Sequence, residues 1–207
     1  MLGHSATPLA LCGMLALSAC AAKYAQVPAR LDLHSYSRVA LVTFTAGEEH
    51  GNLSQLATQR FAESVLASQA GFELLELSRT DSLIRQLPRS ADPALIARAL
   101  GESGDIPAVF VGDLKVSGVR PKARFDPQAV NVKASVSAEL TVRLLSTRTG
   151  GTLWRSSSVA TGTVGRVGLA GGLPSVAMRD TEEAYGDVVH ELVADVTRDL
   201  RPTWVKQ

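Results

Sequence analysis

Cysteine is almost missing: the 207 residues contain two, Cys12 and Cys20. Cys12 lies in an apolar amino-terminal run, so a chain that loses that run keeps only Cys20 and cannot form an internal disulfide. Its stability must then come from packing. Histidine is nearly as scarce. His34, His50 and His190 stand in no metal-ligand pattern, because Glu48-Glu49-His50 lacks the helical H-E-x-x-H spacing. No G-x-S-x-G segment offers a nucleophile on a strained turn. A net charge of +1, with acids and bases interspersed, leaves no basic stripe for nucleic acid or an anionic membrane. These absences predict no catalytic residue, no metal and no cofactor.

The apolar run, Pro8 to Leu17, is shorter than the roughly 20 residues a membrane-spanning helix needs and has the length of a signal-peptide core. It closes on Leu17-Ser18-Ala19-Cys20, which resembles the bacterial lipobox. In that motif a small residue precedes a cysteine that is acylated and becomes the first mature residue. The alternative is an ordinary secretory signal cleaved nearby. The amino-terminal region departs from both patterns by offering His4 and no Lys or Arg. The lipobox reading divides the chain into a signal peptide (1–19), a lipidated Cys20 with its tether (20–37) and one domain (38–202). Several acyl chains at about 0.8 kcal/mol per buried methylene make an anchor that does not readily detach. Ala21, in place of an aspartate that would resemble an inner-membrane retention signal, directs the protein to the periplasmic face of the outer membrane.

The clearest pattern in the domain is Val130 to Leu145. Its even positions from Val130 to Leu144 are all apolar, and its odd positions, Asn131 to Arg143, are polar. A period of two is the mark of a strand with one buried and one wet face. Gly150-Gly151 should turn the chain so that Leu153 to Val164 returns antiparallel. A barrel strand in a membrane also alternates, but Trp154 to Thr163 carries Arg155 and several serines and gives no continuous lipid-facing band. A soluble sheet is favoured, and Trp154 reads as a packing residue.

The rest alternates strand and helix. Arg38 to Phe44 is a compact apolar run suited to a central strand covered on both faces. A helix follows over Leu53 to Ala70, capped by Asn52 with Gln55 and stopped by Gly71. Phe72 to Leu77 reads as a strand and Arg79 to Leu87 as a short helix ended by Pro88. Pro93 opens a helix to Leu100, and Ala108 to Ser117 is a further strand. Gly118 to Gln128 reads as a hydrophilic loop and Gly165 to Gly172 as a mobile glycine-rich one, lacking the Lys-Ser/Thr ending of a phosphate loop. Tyr185, Val188, Val189, Leu192, Val193, Val196 and Leu200 mark one face of a final helix. Glu182 and Glu183 at its start and Arg198 and Arg201 at its end suit the macrodipole. The fold class is α/β: a single domain with a mixed sheet, a long antiparallel hairpin and helices packed on the sheet.

Three segments carry a family resemblance. Arg38 to Phe44 resembles an opening "IAVLPF"-type strand, Gly104 to Gly112 a "GAD-ihGxv" strand, and Leu144 to Trp154 a "v-d-a-x-T-G-e-v-l-W" turn. Together they are similar to the bacterial envelope family of CsgG, the TolB amino-terminal domain and LpoB, over about Arg38 to Leu200. The lipobox, the tether, a complete α/β domain and the absence of a catalytic constellation point to a non-enzymatic accessory or assembly factor for an envelope complex, and the resemblance implies the classes of partner. Its partner would be a peptidoglycan synthase, a secretion apparatus or copies of itself. A ring-forming secretion component is an alternative, and so is a small ligand-binding or enzymatic module walled by Thr45 to Gly51 and Gly165 to Gly172 at the carboxyl ends of the strands.

Overall fold

Arg38–Val42 shows how the sequence builds the sheet: Val39 and Leu41 enter one hydrophobic cluster and Ala40 and Val42 enter another on the opposite face. Both of its neighbours are parallel, as is usual in a sheet covered on both faces. The structure, a computed structural model, describes residues 24–47, 51–82, 84–88, 91–102, 105–126, 129–170, 173–178 and 180–206.

In chain order the elements are β1 (Tyr24–Val27), β2 (Arg38–Val42), β3 (Thr45–Ala46), α1 (Gly51–Ser68), β4 (Glu73–Leu77) and α2 (Pro93–Gly101). They continue with β5 (Ala108–Asp126), β6 (Ala129–Ser146), β7 (Thr152–Ala170), β8 (Leu173–Met178), α3 (Thr181–Val196) and β9 (Thr203–Lys206). The chain divides into two compact units. The described part of the smaller is an antiparallel ladder of β1 and β9, with Tyr24 opposite Lys206 and Val27 opposite Thr203. The larger, Ala29–Arg201, holds a seven-stranded mixed sheet in the order β4-β2-β5-β6-β7-β8, with β3 paired to β5.

The two sheet faces are covered unequally. On one, α1 presents Ala57, Phe61, Ala62 and Val65 at helical spacing, and α3 presents Ala184, Val188, Val189, Leu192, Val193 and Val196. Phe61 joins an aromatic chain: its ring lies 5.3 Å from Phe44 and 5.1 Å from Phe110, and Phe110 meets Trp154 edge-on at 6.1 Å. Each such buried ring contributes about 1.5–3 kcal/mol by leaving water. Trp154 is thus a packing residue, although its buried indole N–H has no partner among the described residues. On the other face α2 packs, setting Ile96, Ala97 and Leu100 against Val109, Val111 and Leu145, with Ile84 from the segment before it in the same cluster. Beyond it the face opens, and Val159 of β7 is 67% exposed.

The long hairpin matches its sequence pattern, with β6 running two residues wider than the alternation. At its turn only Gly150 takes a positive φ, 72°, and Gly151 does not. The Gly150 N–H donates to the Ser146 carbonyl at 2.7 Å and the Ser146 N–H to the Gly151 carbonyl at 2.8 Å.

Six local expectations are corrected. Gly118 to Gln128 is no loop as far as Asp126: β5 continues through it, with Pro121 opposite Ala134 and Phe125 opposite Val130. Gly165 to Gly172 is no loop as far as Ala170, since Gly165–Ala170 is the end of β7, paired on one side with β6 and on the other with β8. The described residues of Arg79 to Leu87 form turns rather than a helix, the Asp81 carbonyl accepting from both Ile84 and Arg85 and the Ile84 carbonyl from Leu87. Asn52 lies inside α1 and cannot cap it. The final helix also ends earlier: α3 stops at Val196, Thr197 caps it, and Arg198–Leu200 is a 3₁₀ turn. Within the stretch read as a tether, Leu31 and Leu33 are buried in the core.

Candidate functional site

Strand β2 is where the winding of the sheet reverses. From β2 the chain crosses by α1 on one face to β4, then by α2 on the other face back past β2 to β5 on its other side. In open α/β sheets the crevice at the carboxyl end of such a strand is the usual ligand site. Here that crevice is a cavity of about 540 Å³, within the usual size range of small-molecule sites.

Its walls follow from local structure. After Val42 the chain breaks from the ladder, and the Thr43 N–H donates to the Leu77 carbonyl at 3.0 Å. Phe44 is fixed by α1: its N–H donates to Thr58 Oγ1 at 2.9 Å and its carbonyl accepts the Ser54 hydroxyl. That anchor turns the Phe44 ring into the aromatic chain and leaves Thr43, Thr45 and Ala46 along the crevice. The Thr45 hydroxyl lies 2.7 Å from Asp113 Oδ1 and 3.1 Å from the Gly112 carbonyl oxygen, which braces β3 against β5. Across the β5–β6 ladder Asp113 faces Thr141 and Val111 faces Arg143, bringing both β6 side chains to the cavity.

The far wall comes from α2 and the segment before it. Asp92 caps α2, its Oδ1 accepting the Ala94 N–H at 2.8 Å, and Pro93 and Ile96 line the cavity. Arg79 reaches the cavity from just past β4, and burial pushes its guanidinium below its ordinary value. A smaller cavity of about 300 Å³ shares Val42, Arg79 and Ile96 with the main one.

The expected wall at Thr45 to Gly51 is present through Thr45 and Ala46. The expected wall at Gly165 to Gly172 is corrected: its described residues are strand and do not line the cavity. Cys20 and His50 lie outside the described residues. His34 and His190 are exposed, His34 lying against Gly71. Among the described residues no group of His, Cys, Asp or Glu is placed to hold a metal. Arg79, Asp113, Thr141 and Arg143 were not singled out from the sequence as site residues. The available signal was the wet face of β6, whose polar positions include Thr141 and Arg143.

No protein-family model matches the chain, and no curated protein matches it. Solved structures with similar folds include bacterial lipoproteins. The PelC dodecamer from Paraburkholderia phytofirmans is 16% identical, covers 86% of this chain and 96% of its own, and superposes with a TM-score of 0.46. Lipoprotein GNA1162 from Neisseria meningitidis is 17% identical over 61% of this chain and 83% of its own, with a TM-score of 0.37. The LpoB C-terminal domain from Salmonella enterica is 14% identical over 60% and 83%, with a TM-score of 0.31. With TM-scores below 0.5 these likenesses decide no function, and what the chain does must be argued from its own residues.

Proposed function

We propose that this chain is a lipid-anchored, non-enzymatic accessory or assembly factor of the bacterial envelope, held at the periplasmic face of the outer membrane. The observation that carries this reading is Leu17-Ser18-Ala19-Cys20 at the end of a signal-length apolar run. Acyl chains on Cys20 would provide the anchor. The open face of β6 and β7 is consistent with docking, with a peptidoglycan synthase, a secretion apparatus or further copies of the chain as the partner. Within the crevice, the Thr45 hydroxyl is already engaged as a brace between β3 and β5, which supports a structural role for it over a nucleophilic one.

Replacing Cys20 by Ser tests the anchor. The variant should leave the outer-membrane fraction and collect in the soluble periplasm, and an unchanged distribution would sink the proposal. A second reading, a small ligand-binding module, is favoured by one observation, the crevice at the winding reversal.

A further inference from the structure

One cation in the crevice, Arg143, has no carboxylate partner among the described residues. Arg143 of β6 stands directly opposite Arg155 of β7 in the antiparallel ladder. Like charges at directly opposed positions repel. Among the described residues neither guanidinium has a hydrogen bond or ion pair, while Arg30, Arg38, Arg60 and Arg198 each pair with a carboxylate. Arg155 stands outside the cavity lining, and Arg79 lines the cavity from the other side of β2. The one acid among the described lining residues, Asp113, sits two ladder positions along from Arg143 and its Oδ1 already contacts the Thr45 hydroxyl.

The rest of the lining says what such an anion would be attached to. Thr43, Thr45 and Thr141 supply hydroxyls, and Asp113 keeps a second carboxylate oxygen that can accept. Among the described lining residues there is no aromatic ring on which a nucleobase could stack. The cavity, about 540 Å³, is large enough for one or two sugar rings.

We propose that the crevice at the carboxyl end of β2 binds a small polyhydroxylated anion, a sugar acid or sugar phosphate. Its carboxylate or phosphate is held by Arg143, with Arg155 adding positive charge from the neighbouring ladder position, and its hydroxyls are held by Asp113 and the threonines. A guanidinium suits this role because its planar fork meets a carboxylate or phosphate with two parallel hydrogen bonds. The site is separate from the anchoring proposal and does not depend on Cys20.

The test is a titration of the full chain in detergent micelles, followed by backbone amide shifts at fixed ionic strength. The probes are glucuronate, glucose 6-phosphate and neutral glucose. At least one anionic sugar should bind saturably and move the amides of Thr43, Gly112 and Thr141, and whichever binds identifies carboxylate or phosphate as the recognised group. Arg143→Gln should weaken that binding by about tenfold or more while Arg60→Gln, on the outside of α1, leaves it unchanged. If Arg143→Gln fails to fold, Arg143→Lys keeps the charge, loses the fork and should weaken binding several-fold. Binding of glucose as tight as that of the anions, no saturable binding by either anion, shifts confined to another surface, or full affinity in the folded Arg143 variant would each overturn the proposal.

Discussion

At the scale of single residues, the crevice depends on one glycine. A Cβ built on Gly112 would stand 2.4 Å from Cδ1 of the Phe44 ring. That ring cannot easily swing away. Its backbone is tied to α1 through Ser54 and Thr58, and its far side packs on Phe61. Gly112→Ala should therefore cost about 1–3 kcal/mol, the range for overpacking a well-filled core, read as a lower denaturation midpoint. Gly47→Ala is the control, because nothing lies within 4 Å of its would-be Cβ, and it should leave the midpoint almost unchanged. Equal midpoints for the two variants would mean that the ring is not fixed. No sequence pattern announces this contact, since Phe44 and Gly112 are distant in the chain and meet only when β2 and β5 pair.

At the scale of elements, legibility followed where the bulges fall. In both ladders the register shifts place the extra residue outside β6: one in β5 between Ser117 and Arg120, and two in β7, within the steps that oppose Ala134/Ser135 and Leu144/Leu145. Each such residue moves the strand's alternation out of phase by one position. In β5, Phe110 and Leu114 oppose β6 at even numbers, while past the bulge Ala123 and Phe125 do so at odd ones. Strand β6 has no bulge and kept its period for its full length, so it could be read directly. The distal parts of β5 and β7 looked like polar or glycine-rich loops for the same reason. The first bulge is pinned from inside: the Ser137 N–H donates to Ser117 Oγ at 3.0 Å and the Tyr185 hydroxyl to the Ser117 carbonyl at 3.4 Å.

The helix starts give a test at this scale. Asp92 and Asp180 each accept the N–H two residues ahead, at 2.8 Å. Either aspartate replaced by alanine should lose about 1 kcal/mol, and replaced by asparagine very little, since asparagine caps equally well. The two sites differ in what they support. Pro93 and Ile96 of α2 line the crevice, whereas none of the α3 residues do. Asp92→Ala should weaken glucuronate or glucose 6-phosphate binding as well as stability, while Asp180→Ala should lower stability alone. Equal effects on binding would remove α2 from the site.

At the scale of the whole molecule, the question is whether copies of this sheet could close into a membrane pore, as the alternative secretion reading requires. Judged from Trp154 to Thr163 alone, β7 offers no lipid-compatible band. The structure enlarges the question, because β5, β6, β7 and β8 continue side by side beyond the bulges, with Val132 opposite both Ala123 and Val167, and Val167 in turn opposite Val176. That register puts apolar residues in a row across four strands. Length decides against the pore. A strand must run about 9–11 residues to cross a bilayer, and every edge in the hydrocarbon must be paired. Strand β8 has six residues, and it pairs only Gly165–Ala170 of β7. A wall built from it would stop short of the far interface and leave the β7 backbone open to lipid. The lipidated full-length protein should consequently give no ion conductance in planar bilayers at concentrations where it binds them. Discrete, reproducible conductance steps under those conditions would show that neighbouring copies complete the edge, and would promote the secretion-channel reading over the accessory one.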